Sequence, residues 1–270
     1  MKIPKIIHYV WVGNSPKSEL VLKCIASWKQ HCPDYEIMEW NDESLANIEN
    51  NYVTEAYKAK KWAFVSDYLR LYALEKHGGV YCDSDLEITQ NIDEFLTNDF
   101  FTGYERIEQH DWPITALMGS AKNNRIVKDL LSEYKSIHFV VDGVMDMTTN
   151  TSRISKYFAN NFDLKEPYSG DQISPLGEIG AIYPSHYFCK PESGKNNYSI
   201  HHFSGSWIDP YRRKERFSLL GFSIVVMKKN KGASSNELPF EDGEKIIWGF
   251  SRNKRKKVFL VKNSKPALSD

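Results

Sequence analysis

The sequence predicts an α/β protein whose central sheet is mostly parallel. Three β-rich segments, KIIHYVWV, YEIMEW and VYC, alternate with segments whose apolar residues recur at helical spacing. Strands that alternate with helices form βαβ units, which place parallel strands side by side in one sheet. A chain of 270 residues can also bury a sizeable core. We therefore expect a Rossmann-like sheet with flanking helices.

The first helices have recognisable ends. SELVLKCIASWKQH (18–31) has its apolar residues at helical spacing, and NDESLANI (41–48) starts with acidic residues, which stabilise a helix N-terminus. KWAFVSDYLRLYALEKHGG (61–79) is rich in helix-forming residues and ends at Gly78 and Gly79, where a left-handed cap closes many helices. We predict three helices here, and the strand VYC directly after the third.

The pattern is looser beyond Leu86. FFTGYE (100–105) and PITALMGS (113–120) are predicted strands, and NNRIVKDLLSEYKSI (123–137) is a predicted helix. AIYPSHYF (181–188) and NYSIHHF (197–203) are predicted as late strands. The chain contains no internal repeat and no low-complexity tract, so a single α/β domain accounts for most of its length.

The charge distribution divides the chain into two parts. The formal net charge is zero, which argues against a general affinity for nucleic acid. Residues 212–270, however, contain 15 Lys and Arg against 6 Asp and Glu, a net charge of +9, so residues 1–211 carry −9. We predict a domain boundary near Trp207–Tyr211, with a catalytic domain over 1–211 and a basic, partly apolar extension over 212–270.

The basic extension suggests a polyanionic neighbour, first of all the anionic inner face of a membrane. FSLLGFSIVVM (217–227) is followed by lysines, which suits an interfacial helix lying on a bilayer. The same segment also suits an ordinary core helix or strand, and a solvated basic tail is the simpler interpretation of the charge. No segment reaches the ~18 apolar residues of a membrane span. The four cysteines form no CxxC pair, so we expect buried or free thiols and a cytoplasmic protein with peripheral membrane contact.

Two aspartates follow the strand VYC. On an extended segment Asp83 and Asp85 point to the same side, so they could hold one hard divalent cation whose other positions are filled by substrate phosphates. Trp11 also falls at the end of a predicted strand, and ligands of α/β proteins bind at the carboxyl ends of the strands. We therefore expect Trp11 and the two aspartates to face one crevice. An acidic turn without a ligand is the simpler alternative.

Two further pairs could complete such a site. Asp67 and Arg70 share one face of an apolar, aromatic helix, where a partly buried acid and arginine could orient a ribose or a phosphate. In IHHFSGSW (200–207), His201 or His202 could be a third ligand to manganese, and the indole N–H could donate to a phosphate oxygen. A surface ion pair and structural histidines are the simpler interpretations.

Taken together, IPKIIHYVWVG, SDYLRLYALEKHGGVYCDSD and IHHFSGSW resemble, in this order, the glycosyltransferases with a DXD sugar-binding region, glycosyltransferase family 32. This family includes bacterial capsule and lipooligosaccharide transferases and yeast mannosyltransferases, and it is distantly similar to the catalytic domain of clostridial glucosylating toxins. The resemblance covers residues 3 to about 208. It implies a GT-A fold, a nucleotide-sugar donor, Mn²⁺ or Mg²⁺, and retention of the anomeric configuration.

The resemblance also implies roles for individual residues. Trp11 is expected to stack on the nucleobase, and Asp67 and Arg70 to contact the ribose and the donor sugar. Asp83 is expected at the ribose and the metal, and Asp85 is expected to bind the metal directly. Both aspartates are therefore counted among the catalytic residues.

The closing motif is expected to complete the metal and donor sites. A histidine, His202 in preference to His201, is expected to ligate the metal. Ser206 and Trp207 are expected on the donor side, with Trp207 touching the diphosphate.

One segment departs from the family pattern. Members often carry Gly-Pro where this chain has Gly170 followed by Asp171. An acid there could contact hydroxyl groups of the donor sugar or the acceptor, so Asp171 is a candidate catalytic residue and Gln172 a candidate donor contact. Simple loop variation is the alternative. The polar, aromatic segment 104–113 is the candidate acceptor pocket.

The sequence therefore predicts a retaining, metal-dependent hexosyltransferase that extends a glycan or a lipid-linked saccharide in capsule or lipooligosaccharide synthesis. The resemblance implies UDP-hexose or UDP-N-acetylhexosamine as the donor. Two alternatives remain open, a metal-dependent phosphohydrolase and a non-enzymatic module that binds nucleotide or glycan. The phosphohydrolase is expected to need further carboxylates or a phosphate-binding glycine loop, and the sequence has no GxxxxGK[ST] motif.

Overall fold

The computed structural model describes residues 2–107, 110–204, 211–219, 222–229, 244–253 and 256–263. The chain divides into two compact units, Met1–His202 and Phe203–Asp270. This division falls a few residues before the boundary that the composition suggests near Trp207–Tyr211.

The first unit alternates strands and helices from its start, as predicted. Its elements are β1 (Ile6–Val10), α1 (Glu19–His31), β2 (Glu36–Trp40), α2 (Asp42–Leu45), α3 (Asn51–Lys58), α4 (Trp62–His77), β3 (Gly79–Cys82), β4 (Leu86–Ile88), a 3₁₀ helix (Asp93–Thr97), β5 (Phe100–Ile107), β6 (His110–Ser120), α5 (Arg125–Glu133), β7 (Val140–Val141), β8 (Val144–Met145), α6 (Asn150–Phe162), β9 (Ser174–Pro175), β10 (Gly180–Tyr183), α7 (Ser185–Phe188) and β11 (Ser199–His201). The late segment AIYPSHYF was predicted wrongly in its second half, because the strand ends at Tyr183 and the helix α7 follows.

Seven of these strands form the central sheet, in the order β2-β1-β3-β6-β5-β10-β9. β1 pairs in parallel with β2 and β3, and β5 pairs in parallel with β10. β6 lies antiparallel between β3 and β5, and β9 lies antiparallel at the edge. The predicted α/β class, with a central sheet and flanking helices, is confirmed. Its parallel half, β2-β1-β3, brings three carboxyl ends to one edge.

Helices cover both faces of this sheet. Along β3, Tyr81 belongs to a core cluster with residues of α3 to α6, whereas Val80 and Cys82 belong to a second cluster with Trp28 of α1 and Phe188 of α7. Alternate side chains of a strand point to opposite faces, so β3 is buried on both sides. The strand that leads to the acidic pair is therefore fixed in the middle of the core.

The double glycine after α4 has a steric cause. Gly78 caps α4 with φ 68°, and its N–H donates to the carbonyl of Leu74. Gly79 has φ 108°, and a Cβ there would lie 2.7 Å from the carbonyl oxygen of Ile6 in β1. Both positions favour glycine because a side chain disfavours positive φ, and Gly79 also allows the backbones of β1 and β3 to approach. The chain can thus turn from α4 directly into β3.

The second unit contains one antiparallel sheet, in the order β12-β13-β15-β14. Its strands are β12 (Tyr211–Leu219), β13 (Phe222–Lys229), β14 (Glu244–Asn253) and β15 (Lys256–Asn263). Residues 217–219 and 222–227 of the apolar segment therefore belong to two strands, so the prediction of an interfacial helix is wrong and the strand alternative is confirmed for these residues. Within the described residues, no helix is long and apolar enough to cross a bilayer.

Candidate functional site

The acidic pair lies in a tight turn rather than on an extended segment. β3 ends at Cys82 and β4 begins at Leu86, whose N–H donates to the carbonyl of Asp83 at 3.0 Å. The N–H of Asp83 donates to the carbonyl of Ala116 in β6 at 2.7 Å. The sequence analysis was therefore wrong to expect an extended segment at Asp83 and Asp85. The two carboxylates come together because the chain turns, and the backbone of Asp83 is held from the neighbouring strand.

Helix α1 holds the far side of this turn. The indole N–H of Trp28 donates to the carbonyl of Leu86 at 2.8 Å, and Ser27 Oγ accepts from the N–H of Ile88 at 3.0 Å. Trp28 and Ser27 are both buried. The two strand ends that flank the acidic pair are thus fixed by hydrogen bonds to different elements.

Trp11 lies at the same edge of the sheet. β1 and β3 are parallel neighbours with His8 opposite Tyr81, so Trp11 and Asp83 directly follow the carboxyl ends of two adjacent strands. The indole N–H of Trp11 donates to the carbonyl of Ser15 at 2.7 Å, which fixes the ring, and the ring is half-buried. A pocket of about 340 Å³ opens beside it, lined by Trp11, Asn14, Ser15, Pro16, Lys17, Glu39, Asn41, Asp42 and Glu43.

Arg70 connects helix α4 to the acidic turn. Its guanidinium is buried and lies 3.1 Å from Asp67 Oδ1 and 3.3 Å from Asp83 Oδ1. The guanidinium also packs over the ring of Tyr81, whose hydroxyl donates to Asp83 Oδ1 at 2.8 Å. Both parts of the expectation for Asp67 and Arg70 hold in the geometry, since they share a face and that face is buried against the predicted metal site.

Asp67 occupies an unusual environment for a carboxylate. Burial raises its pKa to about 6, although the charge of Arg70 opposes this rise. Its Oδ2 accepts from the N–H of Asn150, and its carbonyl accepts from the Asn150 side chain. Asp67 is therefore anchored to the start of α6 as well as to Arg70, which orients the guanidinium towards Asp83.

His201 completes a group of potential metal ligands. Its Nε2 lies 3.4 Å from Asp85 Oδ1, and ligand atoms of Asp83, Asp85 and His201 lie within 4.8 Å of one another. The pairing of β11 with β4 explains this, because it puts His201 opposite Leu86, directly after the acidic turn. The geometry therefore favours His201 over His202, the reverse of the sequence-based preference.

His202 points towards a different acid. Its Nε2 lies 2.8 Å from Glu87 Oε2, which also accepts from Lys23 Nζ. Side chains of consecutive strand residues point to opposite faces, so only one of two adjacent histidines can face the acidic turn.

Glu105 is a site residue that the sequence analysis did not single out. It lies in β5, is buried, and its Oε1 is 3.3 Å from His201 Nδ1. Burial alone would lower the pKa of His201, but interactions with Asp85, Cys189 and Glu105 outweigh burial and raise the pKa well above its ordinary value. When Nε2 of a histidine binds a metal, a carboxylate at Nδ1 fixes the tautomer and the ring orientation. The one indication of this role in the sequence is a charged glutamate within the mostly apolar and aromatic strand segment FFTGYE.

The loop with Asp171 and Gln172 is built differently. Asp171 Oδ1 accepts from Arg106 at 2.9 Å, and both Asp171 and Gln172 are exposed. The buried residue of this loop is Gly170, whose N–H donates to Asp111, and a Cβ there would lie 2.4 Å from Asp111 Oδ1. Asp171 and Gln172 do not belong to the group of potential metal ligands found among the described residues. Ser206 and Trp207 lie outside the described residues.

The site thus combines two carboxylates and an imidazole at the carboxyl end of β3 with a mostly polar pocket beside Trp11 at the end of β1. Oxygen ligands with one imidazole suit Mn²⁺ or Mg²⁺, and the buried Arg70 adds a fixed positive charge beside them. This arrangement can bind a nucleoside diphosphate, with the base near Trp11 and the phosphates at the cation.

Comparison with known proteins identifies the same region. The family model for the glycosyltransferase sugar-binding region containing DXD motif matches residues 18–102, which include α4 and the acidic turn. Inositol phosphoceramide mannosyltransferase 3 of Schizosaccharomyces pombe is 30% identical over 105 residues, which are 35% of this chain. That alignment covers only 27% of the mannosyltransferase, so this chain spans about a quarter of that relative.

Solved structures that are similar to part of this chain include two glycosyltransferases. The PaToxG glycosyltransferase has 19% identity and a TM-score of 0.45, over 60% of this chain and 70% of its own. A glycosyltransferase involved in glycosylation of the major capsid of PBCV-1 has 14% identity and a TM-score of 0.45, over 73% and 93%. The family match over residues 18–102 supports the predicted transferase class, and the chain contains the glycosyltransferase sugar-binding region with its DXD motif.

Proposed function

We propose that this protein transfers a hexose or an N-acetylhexosamine from a UDP-sugar to a glycan acceptor, with a divalent metal and with retention of configuration. The observation that carries the proposal is the convergence of Asp83, Asp85 and His201 beside the buried Arg70. A nucleoside diphosphate is the leaving group of such a reaction, and its developing negative charge needs fixed positive charge. The resemblance to family 32 supports the retaining stereochemistry and a role in capsule or lipooligosaccharide synthesis.

The residues present fit the metal that the DXD region implies. Asp85 and His201 would be its direct ligands and Asp83 the third, with Glu105 holding His201 through Nδ1. When bound, Mn²⁺ or Mg²⁺ supplies Lewis-acid stabilisation of the departing diphosphate.

The chain's own residues orient the donor around that position. Arg70 holds Asp83 in place, and Asp67 holds Arg70, so the positions of these charges are set before the donor arrives. The base stacks on the ring of Trp11, and the pocket beside this ring has room for the nucleoside. Asp171 and Gln172 are proposed only as contacts of the acceptor side, because their exposure leaves them accessible to an incoming glycan.

We also propose that the second unit contacts an anionic bilayer. On one sheet face, Leu260 of β15 pairs with Trp248 of β14 and Ile224 of β13, and the side chains of Trp248 and Ile224 are 58% and 38% exposed. Cross-strand partners share a face, so these residues form one apolar row. On the same face, the lysine pairs Lys245–Lys262 and Lys228–Lys256 lie towards the two ends of the strands. Tryptophan and lysine are the residues that favour a membrane interface.

Calorimetric titration of UDP and of GDP, each with and without Mn²⁺, tests the proposed donor site. We expect UDP to bind tightly only with Mn²⁺, followed by turnover of a UDP-sugar in the presence of a glycan acceptor. A preference for GDP would keep the metal site but change the donor class. Absence of binding by both nucleotides would overturn the proposal, and turnover of simple phosphate esters would favour a phosphohydrolase.

A further inference from the structure

His201 belongs to a second group of potential metal ligands, which includes a thiol. Ligand atoms of Glu105, Cys189 and His201 lie within 4.8 Å of one another. The three residues come from β5, from the C-terminal cap of α7 and from the end of β11. Cys189 is buried, and its carbonyl accepts from the N–H of His201 at 2.9 Å, which keeps the two residues side by side.

This donor set differs in chemistry from the acidic turn. A thiolate is a soft ligand, and thiolate with imidazole and carboxylate is a combination that favours Zn²⁺ over Mn²⁺ or Mg²⁺. The chain has three other buried free cysteines, Cys24, Cys32 and Cys82. Among the described residues, none of these three belongs to a group of potential ligands, so burial alone does not explain the position of Cys189.

The spacing of the ligand atoms also suits zinc. In a tetrahedral site with bonds of about 2.1 Å, two ligand atoms lie about 3.4 Å apart. Glu105 Oε1 and His201 Nδ1 are already 3.3 Å apart. Three protein ligands with one open position is the ligand count of many zinc sites. Zinc could therefore bind after small side-chain adjustments, with a water as the fourth ligand.

The two groups share one imidazole ring. His201 Nε2 faces Asp85, whereas Nδ1 faces Glu105. A neutral imidazole has one nitrogen with a free lone pair and one N–H, so it can ligate only one cation at a time. A cation at Nδ1 leaves the proton on Nε2, which then donates to Asp85 and withdraws a ligand from the acidic turn.

We propose that Glu105, Cys189 and His201 form an inhibitory zinc site that competes with the catalytic metal for His201. The zinc site itself stands on the geometry alone, and only its inhibitory effect rests on the proposed function. Occupation by zinc releases the thiol proton of Cys189 and any proton on His201 Nδ1, and the remaining ring proton stays on Nε2, in the tautomer that the catalytic metal cannot use. Micromolar zinc is then expected to inhibit the enzyme in the presence of millimolar Mg²⁺.

Cobalt(II) titration of the full-length protein tests the site without any assay of activity. Co²⁺ bound to a thiolate gives a ligand-to-metal charge-transfer band in the near ultraviolet, and tetrahedral Co²⁺ absorbs strongly in the visible. We expect both signals at one equivalent of Co²⁺, and we expect one equivalent of Zn²⁺, but not excess Mg²⁺, to remove them. Absence of a thiolate band in the wild-type protein would overturn the proposal.

Three variants assign the ligands. Cys189→Ser should abolish the charge-transfer band, whereas the matched variant Cys24→Ser, at another buried cysteine, should keep it. Glu105→Gln should weaken Zn²⁺ binding by at least about 100-fold, because even a residue that only hydrogen-bonds to a metal ligand accounts for about 10–100-fold. Asp83→Asn should keep the band, since Asp83 belongs only to the other group. A band that persists in Cys189→Ser, or that disappears in Asp83→Asn, would contradict the assignment. Thermal melts identify any variant that does not fold. If Cys189→Ser does not fold, the results for Glu105→Gln and Asp83→Asn decide whether the ligands are assigned correctly.

The inhibitory effect has a separate test. Turnover of the UDP-sugar is measured against Zn²⁺ concentration, and each variant is compared with its own zinc-free rate. Cys189→Ser should need at least about 100-fold more Zn²⁺ for half-inhibition, by the same reasoning as for Glu105→Gln. Equal zinc sensitivity of wild type and Cys189→Ser would reject competition. A protein that shows the cobalt spectrum but no transferase activity would refute the proposed function and leave the zinc site standing.

Discussion

The acidic turn at Asp83–Asp85 and the loop at Gly170–Gln172 both carry carboxylates and lie in the same unit, Met1–His202. The fold holds the two segments in different ways. The side chain of Asp85 is 12% exposed and faces His201, whereas that of Asp171 is 60% exposed and pairs with Arg106. The turn is tied to β6 by a backbone hydrogen bond and to α1 by the indole N–H of Trp28, and the loop is tied to Asp111 through the N–H of Gly170.

The acidic turn is held rigidly by buried contacts, whereas the loop at Gly170–Gln172 presents an accessible surface. An exposed ion pair contributes about 0–1 kcal/mol to stability, whereas breaking a buried pair by removing one partner costs about 3–5 kcal/mol. Buried charges therefore persist only where the surroundings compensate them, as Arg70 and Asp83 compensate each other here. The acidic turn has the properties of a preorganised ligand site, and the loop has those of a surface that an acceptor can approach.

The largest expected effect on nucleotide binding separates the two aspartates directly. Asp85→Asn removes a ligand charge while keeping the side-chain volume, so metal-dependent UDP binding should fall by at least about 100-fold, or about 2.7 kcal/mol. Asp171→Asn, the matched change in the loop, should leave UDP affinity within about twofold, since an exposed pair contributes little. Calorimetry with Mn²⁺ measures both. Equal effects of the two changes would erase the distinction between turn and loop.

The next effect is on stability. Arg70→Gln leaves Asp67 and Asp83 without their shared cation, so the free energy of unfolding should fall by about 3–5 kcal/mol. Arg125→Gln breaks the exposed pair with Asp129, and it should change stability by less than about 1 kcal/mol. Urea denaturation followed by circular dichroism gives both values. A loss below about 1 kcal/mol for Arg70→Gln would mean that the buried network is not what holds the turn.

The pH dependence of stability sharpens the same contrast. The pKa of Asp67 in the folded protein is about 6, against an ordinary value of 3.8. Between about pH 4 and pH 6 the unfolded chain loses this proton while the folded chain keeps it, so stability falls as the pH rises, by up to about 3 kcal/mol. In Asp67→Asn this contribution is absent, so the difference in unfolding free energy between variant and wild type should grow with pH over that interval. Parallel stability curves from pH 4 to pH 6 would show that Asp67 titrates normally.

The smallest effects belong to two tryptophans, one beside the turn and one on the second unit. Trp11→Ala should weaken UDP binding by about 1–3 kcal/mol, the range for stacking of a base on an aromatic ring. Trp248→Ala should leave UDP binding unchanged and instead weaken binding to vesicles of anionic lipid by about 1 kcal/mol, because Trp248 is partly exposed. Calorimetry measures UDP binding and vesicle sedimentation at low salt measures lipid binding, and each variant should be impaired in only one of the two assays. Any other pattern would show that one of the two rings has been assigned to the wrong ligand.

The sequence predicted those parts of the site that depend on neighbouring residues in the chain. Strand β3, its double glycine and the pair Asp83 and Asp85 all lie within one short segment, and Asp67 and Arg70 share one helix face. Local periodicity is enough to place such residues. The family match over residues 18–102 covers this same local part of the site.

The rest depends on long-range pairing, which a single sequence does not reveal. His201 reaches Asp85 only because three residues of β11 pair with β4, and Glu105 reaches His201 only through the position of β5 in the sheet. Which of His201 and His202 faces the acidic turn also depends on the pairing register of the strand. A shift of one residue in that register would exchange the two histidines. In the tail, an apolar run of 217–227 suits both helix and strand, so its periodicity could not decide.

The buried charges at the edge of the sheet also determine the order in which ligands can arrive. Asp83, Asp85 and Glu105 surround the position where a diphosphate must sit, with Arg70 as a fixed cation beside them. An incoming nucleotide is itself an anion, so these carboxylates repel it until a cation has neutralised them. If the proposed function holds, we expect an ordered kinetic scheme in which the metal ion enters before the sugar nucleotide or together with it. By the same electrostatics, we expect the nucleotide product and its cation to leave as a pair.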